Sequence, residues 1–369
     1  MASKFNFEEQ REQSRIKTEI VIKYFMAWAS ILQRRFKRIG YIDLFAGPGI
    51  YENGIKSTPI ILLEKIIDDS TLCSKVVTLF NEKEIELCNK LKTNIGALNN
   101  VNKLRYKPTI WNIEVTQDTA QKFKNKNMIP CFSFIDPAGY AGLSIDLIES
   151  LGKDYGSDLL FFFNYNDINR GMSNPKVEEQ MKAIFGDENY YKLKKKIELY
   201  PDAREAIIIN EMAQTIKNHG VQYVLPFRFK CENKNRTSHY LIFASKNFTG
   251  YKIMKDIMHN AGEKDSDGVG RFEFIPSCDK TKGIQLSIID LYNSSLDELK
   301  KHIKFKYKGK KVYLKNLYEN DAVENRYVLK DYRRVILEME QTGEVICDPP
   351  HTQRRKNTLA ESKVLIHIK

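Results

Sequence analysis

Nowhere in the 369-residue chain is there an apolar run of the roughly 18 residues or more that a membrane helix needs, so no membrane span is expected. The six cysteines, Cys73, Cys88, Cys131, Cys231, Cys278 and Cys347, lie far apart. None forms a C-x-x-C pair, so neither a zinc site nor a dithiol redox motif is visible. Scattered reduced thiols fit a cytoplasmic protein. His219, His239 and His259 have no metal-ligand spacing and read as structural residues. Residues 1–13 are polar and charged, unlike a secretory signal. No internal repeat and no low-complexity block stands out. What remains is 42% hydrophobic and 29% charged, enough for a sizeable core plus a second domain.

Positive charge is in excess and unevenly placed. The formal net charge is +12, and residues 300–369 carry 17 Lys or Arg against 9 Asp or Glu. A localised basic excess points to a polyanion partner, usually nucleic acid. The competing explanation is a lysine-rich composition colouring the whole surface.

The most particular stretch is Tyr41-Ile42-Asp43-Leu44-Phe45-Ala46-Gly47-Pro48-Gly49. It reads as a short buried strand that ends in an acid and runs into a glycine turn. Glycines there let the backbone approach a ligand closely. The D-x-F-x-G-x-G pattern is more specific than a lone G-x-G, although an ordinary strand-to-helix turn in another α/β protein would also contain it.

Around it, strands and helices alternate. Residues 14–34 carry Val21, Tyr24, Phe25, Trp28 and Leu32 at helical spacing. Ser57-Thr58-Pro59 looks like a helix start. Further strands are expected at 76–80, near 104–111, at 131–135, 158–163, 221–229 and 239–244. Helices are expected over 144–151 and from about 176 and 202. The almost continuously apolar 158–163 suits a strand buried on both faces of a parallel sheet. Seven strands interleaved with helices predict an α/β fold, a Rossmann-like mostly parallel sheet with helices on both faces. After about residue 290 the texture changes. Residues 300–311 hold seven lysines, with Phe305 and Tyr307 between them. A helix over 328–341 stops at Gly343. Strands at 344–347 and 363–368 flank a loop with Arg354, Arg355 and Lys356. Helices followed by a hairpin with a basic tip predict a small winged helix-turn-helix domain, 291–369, after an α/β domain, 1–290.

Three strand ends carry candidate chemistry, because ligands of doubly wound sheets bind beyond the carboxyl ends of the strands. Asp43, Phe45, Gly47 and Gly49 form the first. Glu82 closes the second strand, where an acid can accept hydrogen bonds from both ribose hydroxyls of a nucleoside cofactor. It lies well beyond the usual ~20 residues past the glycines, a gap assigned here to an extended turn at 51–56. Glu82 also suits a solvated acid at a helix start. Asp136, in Ile135-Asp136-Pro137-Ala138-Gly139-Tyr140, is the third. The place resembles the fourth-strand site of amino-methyltransferases, where the polar group orients the target amine and the following aromatic, here Tyr140, stacks on the flipped base. Ala138 and the late aromatic depart from the Pro-Pro-aromatic arrangement of amino-methyltransferases, and Asp-Pro is also common in plain turns. The amide-rich 164–170 either lines a substrate cleft or makes a turn.

The glycine motif resembles the first motif of S-adenosylmethionine-dependent methyltransferases. The chain as a whole resembles the three-Cys-motif partner protein family (TcmP). The likeness rests on Lys17-Thr18 with Tyr24, on 41–49, on Phe134-Ile135-Asp136-Pro137-Ala138-Gly139, on 239–245 and on 250–255, and covers most of the chain. It implies a methyltransferase-like fold followed by a winged helix, in a bacterial or phage setting beside a protein with a three-cysteine motif. The family usually has Phe where this chain has Ala138. The expectation is then a methyltransferase using S-adenosylmethionine on nucleic acid or a nucleotide-like substrate. Asp43, Phe45, Gly47, Gly49 and Glu82 would hold the cofactor, Asp136 and Tyr140 would serve the acceptor, and Lys310, Lys311, Arg354, Arg355 and Lys356 would hold phosphates. No metal is expected. The alternatives are a non-catalytic binding partner that keeps the fold, and a small-molecule methyltransferase with a partner-docking tail.

Overall fold

The computed structural model describes residues 2–231, 236–275, 295–355 and 358–369, with side chains described from residue 12 onward. The chain divides into two compact units, Met1–Ile257 and Met258–Lys369. The expected boundary at 290/291 lies outside the described residues.

The first unit opens with α1 (Ala2–Leu32). Its expected stripe is buried at Val21, Tyr24, Phe25 and Trp28. Then follow β1 (Ile39–Asp43), α2 (Thr58–Ile67), α3 (Ser70–Lys75), β2 (Val76–Asn81), α4 (Ile85–Gly96), β3 (Thr109–Trp111), α5 (Gln117–Lys124), β4 (Cys131–Ile135), α6 (Ile145–Gly152) and β5 (Asp158–Phe163). The chain continues through α7 (Tyr165–Gly171), α8 (Glu178–Phe185), α9 (Asp187–Leu199), α10 (Arg204–Asn218), β6 (Tyr223–Lys230), β7 (Thr237–Ser245) and α11 (Phe248–Ala261).

The strands of this unit lie in the order β3-β2-β1-β4-β5-β7-β6. β1 to β5 pair in parallel, and β7 runs antiparallel between β5 and β6. Every residue of β1 and β4 is buried, because helices cover both faces. Strand order reverses between β1 and β4, the place where such sheets open a ligand crevice. Asp43 sits there, level with Phe80 on one side and Phe134 on the other. This is the α/β architecture expected from the sequence, a mostly parallel sheet with helices on both faces.

The sequence spacing between Gly47 and Glu82 has a plain cause. An extended turn does occur, closed by the Ile50–Lys56 bridge. Two helices, α2 and α3, also intervene where one would be usual. The segment 164–170 forms most of α7 (Tyr165–Gly171) instead of an irregular loop, with Asn164 as its cap, the side chain accepting from the Asp167 N–H. At the opposite edge of the sheet, residues that carry the family resemblance meet in the core. The Tyr24 hydroxyl donates to Asp158 Oδ2 at 2.6 Å. A Cβ at Gly250 would fall 2.7 Å from that hydroxyl, so only glycine fits.

In the second unit come β8 (Glu273–Phe274), α12 (Ser295–Tyr307), β9 (Lys311–Tyr313), α13 (Leu314–Asp321), α14 (Leu329–Gln341), β10 (Val345–Asp348) and β11 (Leu365–Ile368). β10, β11 and β9 form a three-stranded antiparallel sheet. Three helices with such a sheet make a winged helix. Gly343 ends α14 at φ +75°, and the Glu344 N–H returns to the Met339 carbonyl at 2.8 Å. β9 was hidden in sequence by the lysine run.

Candidate functional site

The carboxyl ends of β1, β2 and β4 bring Asp43, Glu82 and Asp136 around one crevice. Asp43 is 1% exposed, and its Oδ1 accepts the Phe45 N–H at 3.1 Å. Burial pushes its carboxyl up to about 7, the Phe45 N–H opposes this, and the charges of Asp136 and Glu82 add to it; Lys17 pulls the other way. The pKa of Tyr51, whose hydroxyl lies beside Gly47, is raised by burial and then by Asp136, Asp43 and Glu82.

Glu82 reaches across to the glycine turn. Its Oε2 accepts the Gly47 N–H at 3.0 Å, and its Oε1 accepts the Glu84 N–H at 3.0 Å. Each carboxylate oxygen keeps lone-pair capacity for a further donor. Asn112 fixes the backbone below, donating to the carbonyls of Glu82 and Lys83 at 2.8 Å. Asn81, buried and not singled out by sequence, donates to the carbonyls of Leu44 and Ile113 at 3.0 Å and ties β1 to the segment after β3.

The two glycines differ in what they permit. Gly47 has φ +65°, and a Cβ there would meet, among the described residues, only the Tyr51 hydroxyl at 3.5 Å. The space above it is open. Gly49 has φ +84°, but a Cβ there would press on Leu91, Asn94 and Ile60 at 3.2–3.3 Å. Its small size serves the packing of α2 and α4. The Phe45 ring packs on the core and against the Gly142 turn.

Asp136 is engaged. Lys17, from α1, donates to its Oδ2 at 2.6 Å and lies 4.7 Å from the centroid of Phe162. Both side chains are mostly buried, at 16% and 23% exposure. The sequence marked Lys17 only through the family resemblance. Nearby, the Tyr41 hydroxyl is buried without a partner, and burial, Asp43 and Asp136 all raise it. His239 stacks on Phe229 at 4.5 Å and has a buried Nε2 without a partner. Burial, then Lys17, holds its pKa well below the ordinary value, so it is neutral at neutral pH. Tyr140 packs partly buried against the core, and its carbonyl accepts from Leu143 in a turn. The Asp167 carboxylate would lie 3.4 Å from a Cβ on Gly139, so the start of α7 borders the loop after Asp136.

In the second unit Lys310, Lys311 and Arg355 are exposed. Arg354 departs from the expected phosphate-binding role. Its guanidinium is ion-paired with Glu340, both side chains are 7% exposed, and it also donates to the Thr358 carbonyl at 3.1 Å. An arginine that fastens the wing to α14 has no free face for phosphate. Lys356 lies outside the described residues. Among the described residues no group of three or more His, Cys, Asp or Glu could hold a metal, and no helix is long and apolar enough to cross a membrane.

Residues 274–352 match the GMT-like wHTH domain family. Three of the solved structures similar to the chain illustrate the likeness. A predicted O-methyltransferase from Agrobacterium tumefaciens is 11% identical, covering 61% of this chain and 79% of that one, with a TM-score of 0.32. The methyltransferase domain of bacterial CtHen1-C is 11% identical over 62% of this chain and 98% of that one, with a TM-score of 0.33. The METTL16 methyltransferase domain is 14% identical over 61% and 66%, with a TM-score of 0.30. Likenesses this distant carry no argument about substrate. No curated protein matches the sequence.

Proposed function

We propose that the protein is an S-adenosylmethionine-dependent methyltransferase acting on nucleic acid or a nucleotide-like substrate. The observation that supports this best is the convergence of Asp43, Glu82 and Asp136 on an open glycine turn at the sheet's switch point. The residues present fit the cofactor. It carries positive charge, which an anionic crevice attracts. Glu82 retains acceptor capacity for ribose hydroxyls, Gly47 leaves room for close backbone approach, and Asp43 stands ready for a cationic group. When bound, the cofactor would supply an electrophilic methyl group; the protein supplies alignment and charge.

Asp136 is the residue to orient an acceptor. Lys17 fixes its Oδ2, and the carboxylate keeps lone pairs for a donor on the substrate. The likeness to the TcmP family agrees with this reading and adds a three-cysteine-motif protein as a candidate partner. Calorimetry with S-adenosylhomocysteine tests the reading directly. Binding should be abolished by Gly47→Val and at least tenfold weaker in Asp43→Ala, with the fold retained. No binding by the wild type at millimolar ligand would remove the proposal.

The Lys17–Asp136 pair also favours a second reading, in which Asp136 only fastens α1 to the sheet and the fold is kept without catalysis. Asp136→Asn separates the two. A catalytic role predicts intact cofactor binding with abolished methyl transfer to oligonucleotides. A fastening role predicts lower stability and no transfer by the wild type.

A further inference from the structure

A second charged feature lies at the opposite, amino edge of the same sheet. The segment between α1 and β1, the end of α3 and the segment before β3 enclose a cleft of about 460 Å³. Arg34, Arg35, Lys37, Arg38, Lys75 and Arg105 line it, and none of its nine lining residues is acidic. None of these six cations pairs with a carboxylate among the described residues; Lys75 donates to the Gln33 carbonyl. Two aromatic rings share the cleft. Tyr106 lies 5.6 Å below the Arg105 guanidinium, and Phe36 lies 6.3 Å from Tyr155, itself 67% exposed.

We propose that this cleft binds the phosphate backbone of a single nucleic-acid strand. The inference deepens the proposed function by placing an anchor for its polymeric substrate away from the reacting site. Six cations without an acid in one open cleft repel each other, and a polyanion relieves that repulsion. The charges precede three neighbouring strands, so they spread over about 10 Å at the usual strand spacing, too wide for one phosphate group. Basic side chains interleaved with half-buried aromatic rings are a means by which proteins hold single strands without reading sequence, the bases stacking on the rings.

The test uses the full chain and fluorescein-labelled 20-nucleotide single-stranded RNA and DNA, read by anisotropy at several salt concentrations. In the triple variant Arg34→Ala/Arg35→Ala/Arg38→Ala, affinity at low salt should fall more than tenfold. The logarithmic salt slope should become shallower by about 2, at ~0.7 for each phosphate no longer neutralised. Binding of S-adenosylhomocysteine should be unchanged, which keeps this result separate from the cofactor reading. Arg105→Ala should weaken the same binding in a second background, guarding against a folding defect in the triple variant. Wild-type affinity and slope in both variants would overturn the proposal. So would full displacement of the oligonucleotide by micromolar inorganic triphosphate, which would make this a nucleotide or polyphosphate site. Binding of polyglutamate as tight as that of RNA would overturn it as well, in favour of an acidic protein partner.

Discussion

Two stretches of the chain are rich in positive charge, and they use it differently. Residues 300–311 hold seven lysines, a longer run than any other basic stretch of the sequence. Lys300 nevertheless rests on Glu344 at 2.7 Å, Lys304 on Glu344 at 2.9 Å, and Lys306 on Asp321 at 2.6 Å. Asp321 is fully buried and also accepts from the Tyr307 hydroxyl at 3.0 Å. Much of that charge is spent inside the winged-helix unit. Residues 34–38 hold only four cations, but Lys75 and Arg105 join them in one cleft without an acid. The count of lysines along a chain therefore misjudges the field outside it. What matters is whether carboxylates from other segments fold back onto the cations.

The sharpest contrast within the winged helix is between neighbours. Arg354 is buried on Glu340, and Arg355 is exposed. Arg354→Ala takes the ion-pair partner from the buried Glu340 carboxylate and leaves it with the His351 N–H at 3.1 Å, and breaking a buried pair costs about 3 kcal/mol. Arg355→Ala should stay within about 0.5 kcal/mol of wild type. Urea denaturation of the two variants decides this. Equal stabilities would mean that the Arg354–Glu340 pair is not a fastening of the wing.

The acidic crevice should respond to pH in the direction set by Asp43. Its folded carboxyl is raised to about 7 from the ordinary 3.8, so between these values the folded state holds more protons than the unfolded one. Stability of the ligand-free protein should then fall as pH rises from about 4 through 7. Asp158, raised to about 6 mainly by burial, adds to the same trend between about 4 and 6. A cationic ligand needs Asp43 ionised. Affinity for S-adenosylmethionine should therefore rise about tenfold per pH unit up to 7 and level off above it. Asp43→Asn should flatten the dependence. A flat wild-type profile from pH 5 to 8 would show that Asp43 does not meet the cofactor's charge.

Much of this site was legible in the sequence, for a physical reason. Asp43, Gly47 and Glu82 sit at strand ends, where local pattern and sheet topology determine direction. Residues that act through distant packing were not legible in that way. Lys17 meets Asp136 across 119 positions of sequence, and Asn81 reaches the carbonyl of Ile113. Gly49 carried the motif, but its missing Cβ answers to Leu91 and Ile60, which no local pattern reveals. The amino-edge cleft escaped because its cations come from three separated segments. Only the fold places Arg38, Lys75 and Arg105 side by side.

The exposed cations of the winged helix give a smaller effect. Replacing Lys310, Lys311 and Arg355 together with alanine should weaken duplex binding uniformly across sequences. The salt slope should become shallower by roughly one unit for each phosphate these side chains held. Unchanged binding would assign this unit to a protein partner.

The smallest effect is expected from the lysines that dominate the count. Lys300→Ala/Lys304→Ala removes two side chains already resting on Glu344, whose carboxyl they hold down at about 2. Partly exposed pairs of this kind contribute only about 0.2–1 kcal/mol each. Nucleic-acid affinity should fall less than about threefold, with the salt slope nearly unchanged, because these lysines hold a carboxylate and not a phosphate. A steep loss in this variant, larger than that of Lys310→Ala/Lys311→Ala, would mean that phosphates displace Glu344 from the lysines on binding. The dense run would then be the interface after all, and the contrast with the amino-edge cleft would collapse.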